Sequence, residues 1–130
     1  MFDAITTSAT GLQTYRSWLD VIADNVANVN DTTTSNGNAF RTHYVQVAEN
    51  SGADGVHVAS VTQQKENGIL QQEPDNPIAD SQGYVRHADV NLSEQMGDMI
   101  MAQRAFQANA SMIDRAKDAY QAALNIGKGV

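Results

Sequence analysis

Each end of the chain carries a seam of apolar residues at alternating spacings of three and four, and the sixty residues between the ends do not. At the N-terminal end Ile5, Leu12, Leu19 and Val26 recur every seven residues, with Ser8, Tyr15, Ile22 and Val29 three residues after each. At the C-terminal end Leu92, Met96, Met99, Gln103, Phe106, Ala110, Ile113, Lys117, Tyr120 and Leu124 continue the same alternation over a longer span. This spacing marks helices that bury a narrow stripe against another helix. A lone helix with such a stripe is marginal in water, so the seams must meet each other or other chains.

Local signals place the boundaries. No glycine or proline interrupts residues 12–29, and Asp3 is placed to cap the first helix. That helix should stop near Val29, where Asn30 to Asn38 gathers turn formers and one glycine into a loop. The second helix should start at a capping box of Asn91 and Glu94. Gly127 suits the position just past its end, beside Lys128 at the negative pole of the helix dipole. From Leu92 to Ile126 the second helix is about 50 Å long, and the first, together with a small insert, cannot cover it. Part of the seam is therefore left for other subunits. Gln103 and Lys117 interrupt the stripe and are candidates for setting its register against a partner.

The middle reads differently. Residues 40–48 and 55–64 are rich in valine, threonine and aromatics with short runs of alternation, and Ser51–Gly55 separates them as a turn. This is the pattern of an antiparallel hairpin. Ile69-Leu70 follows the Glu66-Asn67-Gly68 turn as a possible third strand, and Glu73 to Asp80, with both prolines, reads as a loop. The expected fold is mainly α with a small β insert: residues 1–30 form an N-terminal helix, 31–90 the loop and insert, and 91–130 a C-terminal helix that pairs with the first as a coiled-coil-like unit.

Composition narrows the function. The chain has 130 residues, a net charge of −7 and no cysteine. Residues 31–90 hold eight acidic and three basic side chains, so the insert is its acidic part. An acidic surface argues against nucleic acid and against anionic membranes, both of which recruit basic segments. Without cysteine there is no disulfide scaffold, thiolate zinc site or cysteine nucleophile. No stretch approaches a membrane span, and the segment MFDAITTSATG lacks the basic and apolar regions of a secretory signal.

Chemistry-bearing motifs are sparse. Gly127-Lys128 lacks the first glycine of a phosphate loop. His43, His57 and His87 are scattered without metal-ligand spacing, and Asp75, Asp80 and Asp89 do not follow a calcium loop. The sequons at Asn30, Asn91 and Asn109 include two at or inside a helix, and no serine sits in a nucleophile elbow. No cofactor and no metal are expected. The candidate functional residues are those of the subunit-interface seam: Ile5, Leu12, Tyr15, Leu19, Ile22, Val26, Val29, Leu92, Met96, Met99, Phe106, Ala110, Ile113, Tyr120 and Leu124.

Two stretches carry a family resemblance. Leu19-Asp20-Val21-Ile22-Ala23-Asp24-Asn25-Val26-Ala27-Asn28-Val29-Asn30 resembles the LDVIANNIANANT motif of bacterial flagellar rod proteins. Gly83-Tyr84-Val85, Asp89-Val90-Asn91-Leu92, Glu94-Gln95-Met96 and Arg104-Ala105-Phe106-Gln107-Ala108-Asn109 are similar to the GYV, PNVN, EM and SRAYQAN run of the same family. The chain is identified as a member of the flagellar basal-body rod family, most similar to its C-type, proximal branch. Departures include Asp24 for asparagine, Val29 for alanine, Ala88 for proline and Phe106 for tyrosine. The resemblance implies a non-enzymatic structural subunit of the rod, located outside the cytoplasmic membrane and in the periplasm where there is an outer membrane. It implies export unfolded through the flagellar type III apparatus. Its implied partners are other rod proteins, copies of itself, the basal-body ring and the export apparatus, without nucleic acid or direct membrane insertion. The alternative from the residues alone is a coiled-coil adaptor or secretion chaperone.

Overall fold

The computed structural model describes residues 2–51 and 55–129. Helix α1 (Phe2–Ala27) is followed by strand β1 (Thr32–Thr34), the hairpin β2 (His43–Glu49) and β3 (Val56–Gln63), strands β4 (Ile69–Gln72) and β5 (Tyr84–His87), and helix α2 (Leu92–Lys128). The helices pack on each other, and the hairpin packs on α1. The turn expected at Ser51–Gly55 has residues 52–54 outside the described residues.

The helix pair is antiparallel, and two contacts fix its register. Gly11 faces Asn109: a Cβ at Gly11 would lie 2.9 Å from Asn109 Oδ1, so the missing side chain lets the helices approach closely. Asn25 faces Gln95, whose Oε1 accepts a hydrogen bond from Asn25 Nδ2 at 2.8 Å. The positions of facing residues add to 120 in both cases, which places Phe2 level with residue 118. The ten helical residues after 118 continue past α1 by about 15 Å.

Asn25 is 1% exposed and joins three elements. Its Oδ1 accepts from the backbone N–H of His43 at 2.8 Å, and its Nδ2 donates to the His43 carbonyl at 2.9 Å as well as to Gln95. The two backbone groups fix the orientation of the amide, because one needs an acceptor and the other a donor. At the other end of the hairpin Val56 N–H donates to Thr10 Oγ1, and Thr14 Oγ1 donates to the Val56 carbonyl. The hairpin is thus held to α1 by polar bonds at both ends, and it carries a bulge between Gln46 and Val47.

The second sheet has the order β1-β5-β4, all antiparallel neighbours. Val85, in its central strand, is fully buried. Arg86 donates from Nε and Nη2 to the Ser35 carbonyl and from Nη1 to the Asn67 carbonyl, closing the β1 and β4 turns together. Gly68 has φ of +62°, and a Cβ there would collide with the His87 carbonyl, so the entry to β4 requires glycine.

Several local expectations are corrected. Asp3 lies in the first turn of α1, not at a cap. Thr32–Thr34 is a strand, not loop, because β5 offers it a ladder. Gly127 lies within α2, which runs to Lys128 with Gly129 after it. Strand β5 has no alternating pattern long enough to stand out. The Asn91 cap is as expected, its Oδ1 accepting from Glu94 N–H at 3.2 Å.

Replacing Asn25 by alanine leaves the His43 N–H, the His43 carbonyl and the Gln95 amide without their partner in a buried site. Each such orphan costs about 1–3 kcal/mol, so Asn25→Ala should destabilise the fold by about 3 kcal/mol or more. Urea unfolding of the purified chain measures it, and a loss below about 1 kcal/mol would remove Asn25 from its role as the junction.

Candidate assembly interface

Two kinds of surface remain after folding: short polar clefts and open apolar helix faces. A cleft of about 200 Å³ between α1 and β3 is lined by Gln13, Thr14, Ser17, Val56, His57 and Val58. A broader one of about 440 Å³ lies beside Phe40, Arg41 and His43. In the first, Ser17 Oγ donates to the Gln13 carbonyl and His57 Nδ1 is bonded to Asn50 Oδ1. Among the described residues no three His, Cys, Asp or Glu side chains are grouped to hold a metal ion.

The histidines have structural partners. His43 Nδ1 meets Asp24 Oδ2 at 3.0 Å, and His87 Nε2 meets Glu73 Oε1 at 2.8 Å. His57 Nδ1 shares a hydrogen bond with Asn50 Oδ1 at 2.8 Å. Glu73 opens the β4–β5 loop, where Asn76 Nδ2 donates to its carboxylate at 2.8 Å. That bond, aided by His87 and opposed by burial, holds the Glu73 carboxyl below the usual range. Asp80 closes the same loop: its Oδ1 accepts from the N–H groups of Tyr84 and Gln82, both at 2.9 Å. The Tyr84 N–H, then Ser35, depress its pKa. These acids act as fasteners of the proline loop.

The seam residues divide by depth. Ile22 is 1% exposed, while Ile5, Leu12, Tyr15, Leu19, Val26 and Val29 are half-buried. On α2, Met99, Phe106, Ala110 and Ile113 are half-buried, and Leu92, Met96, Tyr120 and Leu124 are exposed. Within the chain, the most buried line on α1 runs through Ser8, Gly11, Tyr15, Trp18, Ile22 and Asn25. On α2 it runs through Gln95, Met99, Ala102, Phe106, Asn109 and Ile113. Every second seam residue is therefore displaced by one position. The small and polar residues Gly11, Asn25, Gln95 and Ala102 take the contact, and Leu12, Val26, Met96 and Gln103 move to its flank. Periodicity weighted by hydropathy could not find this, since it counts Gly, Asn and Gln as outward. The Gly11–Asn109 approach and the Asn25 amide decide it.

The outcome is a molecule with a thin core and much apolar surface. Among the described residues only Ile22, Ala39, Val85, Ala88 and Ala102 are fully buried apolar residues. Along α2, Leu92, Met96, Ile100, Met101, Met112, Leu124 and Ile126 are 41–75% exposed. Patches of this extent on a small protein mark interaction sites.

Known proteins match this sequence end to end. The family described as "Flagella basal body rod protein" matches residues 5–34, and "Flagellar basal body rod FlgEFG protein C-terminal" matches residues 81–126. The flagellar basal-body rod protein FlgC of Borreliella burgdorferi is 33% identical over 99% of both chains. Those of Yersinia enterocolitica and Salmonella typhimurium are 35% and 33% identical, over 98% of this chain and 96% of theirs. The chain belongs to the FlgC family of flagellar basal-body rod proteins. It is a structural subunit of the rod and assembles with other rod proteins in the basal body. Its relatives are structural proteins, not enzymes. No helix among the described residues is long and apolar enough to cross a membrane.

The fastened loop yields a pH prediction. A carboxyl depressed in the folded state contributes stability above its unfolded pKa and loses it as pH falls through the folded one. The 73–83 loop should therefore stay closed to below the ordinary carboxylate range and then release. In an NMR titration, the Tyr84 amide should shift with a midpoint below that of a free aspartate, and Asp80→Asn should abolish the transition. A midpoint at or above the free value would contradict the assignment.

Proposed function

We propose that the chain is a proximal-rod subunit that polymerises through faces of its terminal helices left open by its own fold, and so transmits torque along the rod. The observation that supports this is the course of α2. It continues about 15 Å past α1 with Leu124 41% and Ile126 75% exposed, an arrangement that only another chain can cover. A driveshaft must resist twist, and packed helices with many lateral contacts supply stiffness where a thin single-chain core cannot. Copies of the chain and neighbouring rod proteins bury the seam residues Leu12, Leu19, Val26, Met96, Tyr120 and Leu124. The acidic insert packs on α1 through its hairpin, and the basal-body ring is among the proposed partners. Delivery is through the flagellar export apparatus, for which a small core and short strands suit a chain that must travel unfolded.

Exposure separates assembly from folding. Leu124 is exposed and Ile22 is buried, so Leu124→Asp should leave the isolated subunit within about 0.5 kcal/mol of its original stability, whereas Ile22→Asp should unfold it. In cells lacking the native copy, Leu124→Asp should make protein but no intact basal bodies by electron microscopy. Normal swimming with Leu124→Asp would overturn the proposal that this seam is an interface.

A further inference from the structure

Helix α2 carries a second seam that its own chain does not use. Ala108, Met112, Arg115, Ala119, Ala122 and Ile126 follow one another at spacings of four and three, and all are exposed. They lie about 140° round the helix from the line that faces α1, at 3.6 residues per turn. Helix α1 carries a matching outer line: Ala9, Gln13, Arg16, Asp20, Ala23 and Ala27, again at spacings of four and three and all exposed.

We infer that the second seam of α2 receives the outer line of α1 from a second copy of this chain, antiparallel, with Arg115 against Asp20. In that register every position of one line meets a position of the other: Ile126 faces Ala9, Met112 faces Ala23 and Ala108 faces Ala27. Ile126 and Met112 thus face alanines, as close helix packing requires, and two alanines meet at the end of the contact. Charge chooses the register. Arg115 meets Asp20, and Arg16 lies beside Asp118, one position from its facing residue Ala119. Among the described residues none of these four charges makes an ion pair within its own chain. For a chain of net charge −7, bringing copies together needs such local pairing of opposite signs.

The register has a geometric consequence. Facing positions add to 135 between copies but to 120 within a chain, so the copies are offset along the helix axis by fifteen residues, about 22 Å. The second copy's α1 then covers the part of α2 that extends beyond its own α1. The contact uses different surfaces on the two partners and so repeats from copy to copy without closing a dimer. This inference rests on the rod reading and gives it a specific neighbour and stagger.

Cross-linking tests it, because the chain has no cysteine of its own. Within one chain Ala23 is level with residue 97, about 22 Å along the helix from Met112, so a link between those positions joins two copies. Ala23→Cys combined with Met112→Cys, expressed as the only copy in cells and oxidised in isolated basal bodies, should give a ladder of chain multiples. Ala23→Cys with Ala119→Cys, seven residues out of register, should not. No ladder from the first pair in intact basal bodies, or a link to a protein of another size, would overturn the inference while leaving the rod reading in place. Intact basal bodies after deletion of the gene would instead overturn the rod reading. As a second arm, Asp20→Arg and Arg115→Asp should each reduce swimming at least tenfold and together restore it. No restoration, with both single variants folded, would also overturn the inference.

Discussion

The fold depends on one close approach between two antiparallel helices, held in register by Gly11 against Asn109 and by Asn25 against Gln95. Glycine and buried amides are costly choices inside helices, and leucine at these positions would bury more apolar area. They bring specificity in exchange. An amide that must satisfy a backbone N–H, a backbone carbonyl and a second amide tolerates only one alignment of α1, α2 and the hairpin. A seam of leucines would slide by a turn at little cost, as uniform coiled coils do.

That choice has a consequence for assembly. With the interhelical contact given to small and polar side chains, the larger apolar residues Leu12, Leu19, Val26, Met96 and Leu124 stand on the flanks and at the far end of α2. The single chain is held together by hydrogen bonds and a few buried residues, and much of its apolar surface stays exposed, the surface proposed above for neighbours. On the proposed export route, the same division would suit a subunit that crosses a channel before it assembles. Little tertiary structure would have to be undone first, and on the proposed assembly the largest apolar burial would come with polymerisation.

The two long helices, the Asn91 cap and the hairpin were legible in the sequence, because each rests on a period or a turn that a single segment carries; the helices were expected to pair, but their antiparallel register came only with the structure. The motif around Asn25 was legible too, but only as a likeness. Its physical role was hidden because a buried asparagine looks like a solvated one until its partners on other elements are in place. The one-residue displacement of the seam has the same origin. Gly11 and Ala102 have no hydropathy to announce them, and their value lies in what they permit the opposite helix to do. Strands β1 and β5 escaped for a different reason. Thr32–Thr34 and Tyr84–His87 are short; the first becomes a strand because β5 offers it a ladder, and the second because β1 and β4 flank it on both sides. The second seam on α2, with Arg115 at its centre, was overshadowed by the more apolar first one.

The central claim is that the outer faces of α2 are covered only in the rod. Oxidative footprinting of its methionines tests this most directly. Met96, Met101 and Met112 are 49%, 56% and 49% exposed in the single chain. The purified subunit should oxidise readily at all three, and isolated basal bodies should show them strongly protected. Equal reactivity of the three methionines in the subunit and in intact basal bodies would mean that these faces meet solvent in the rod, and would contradict the account.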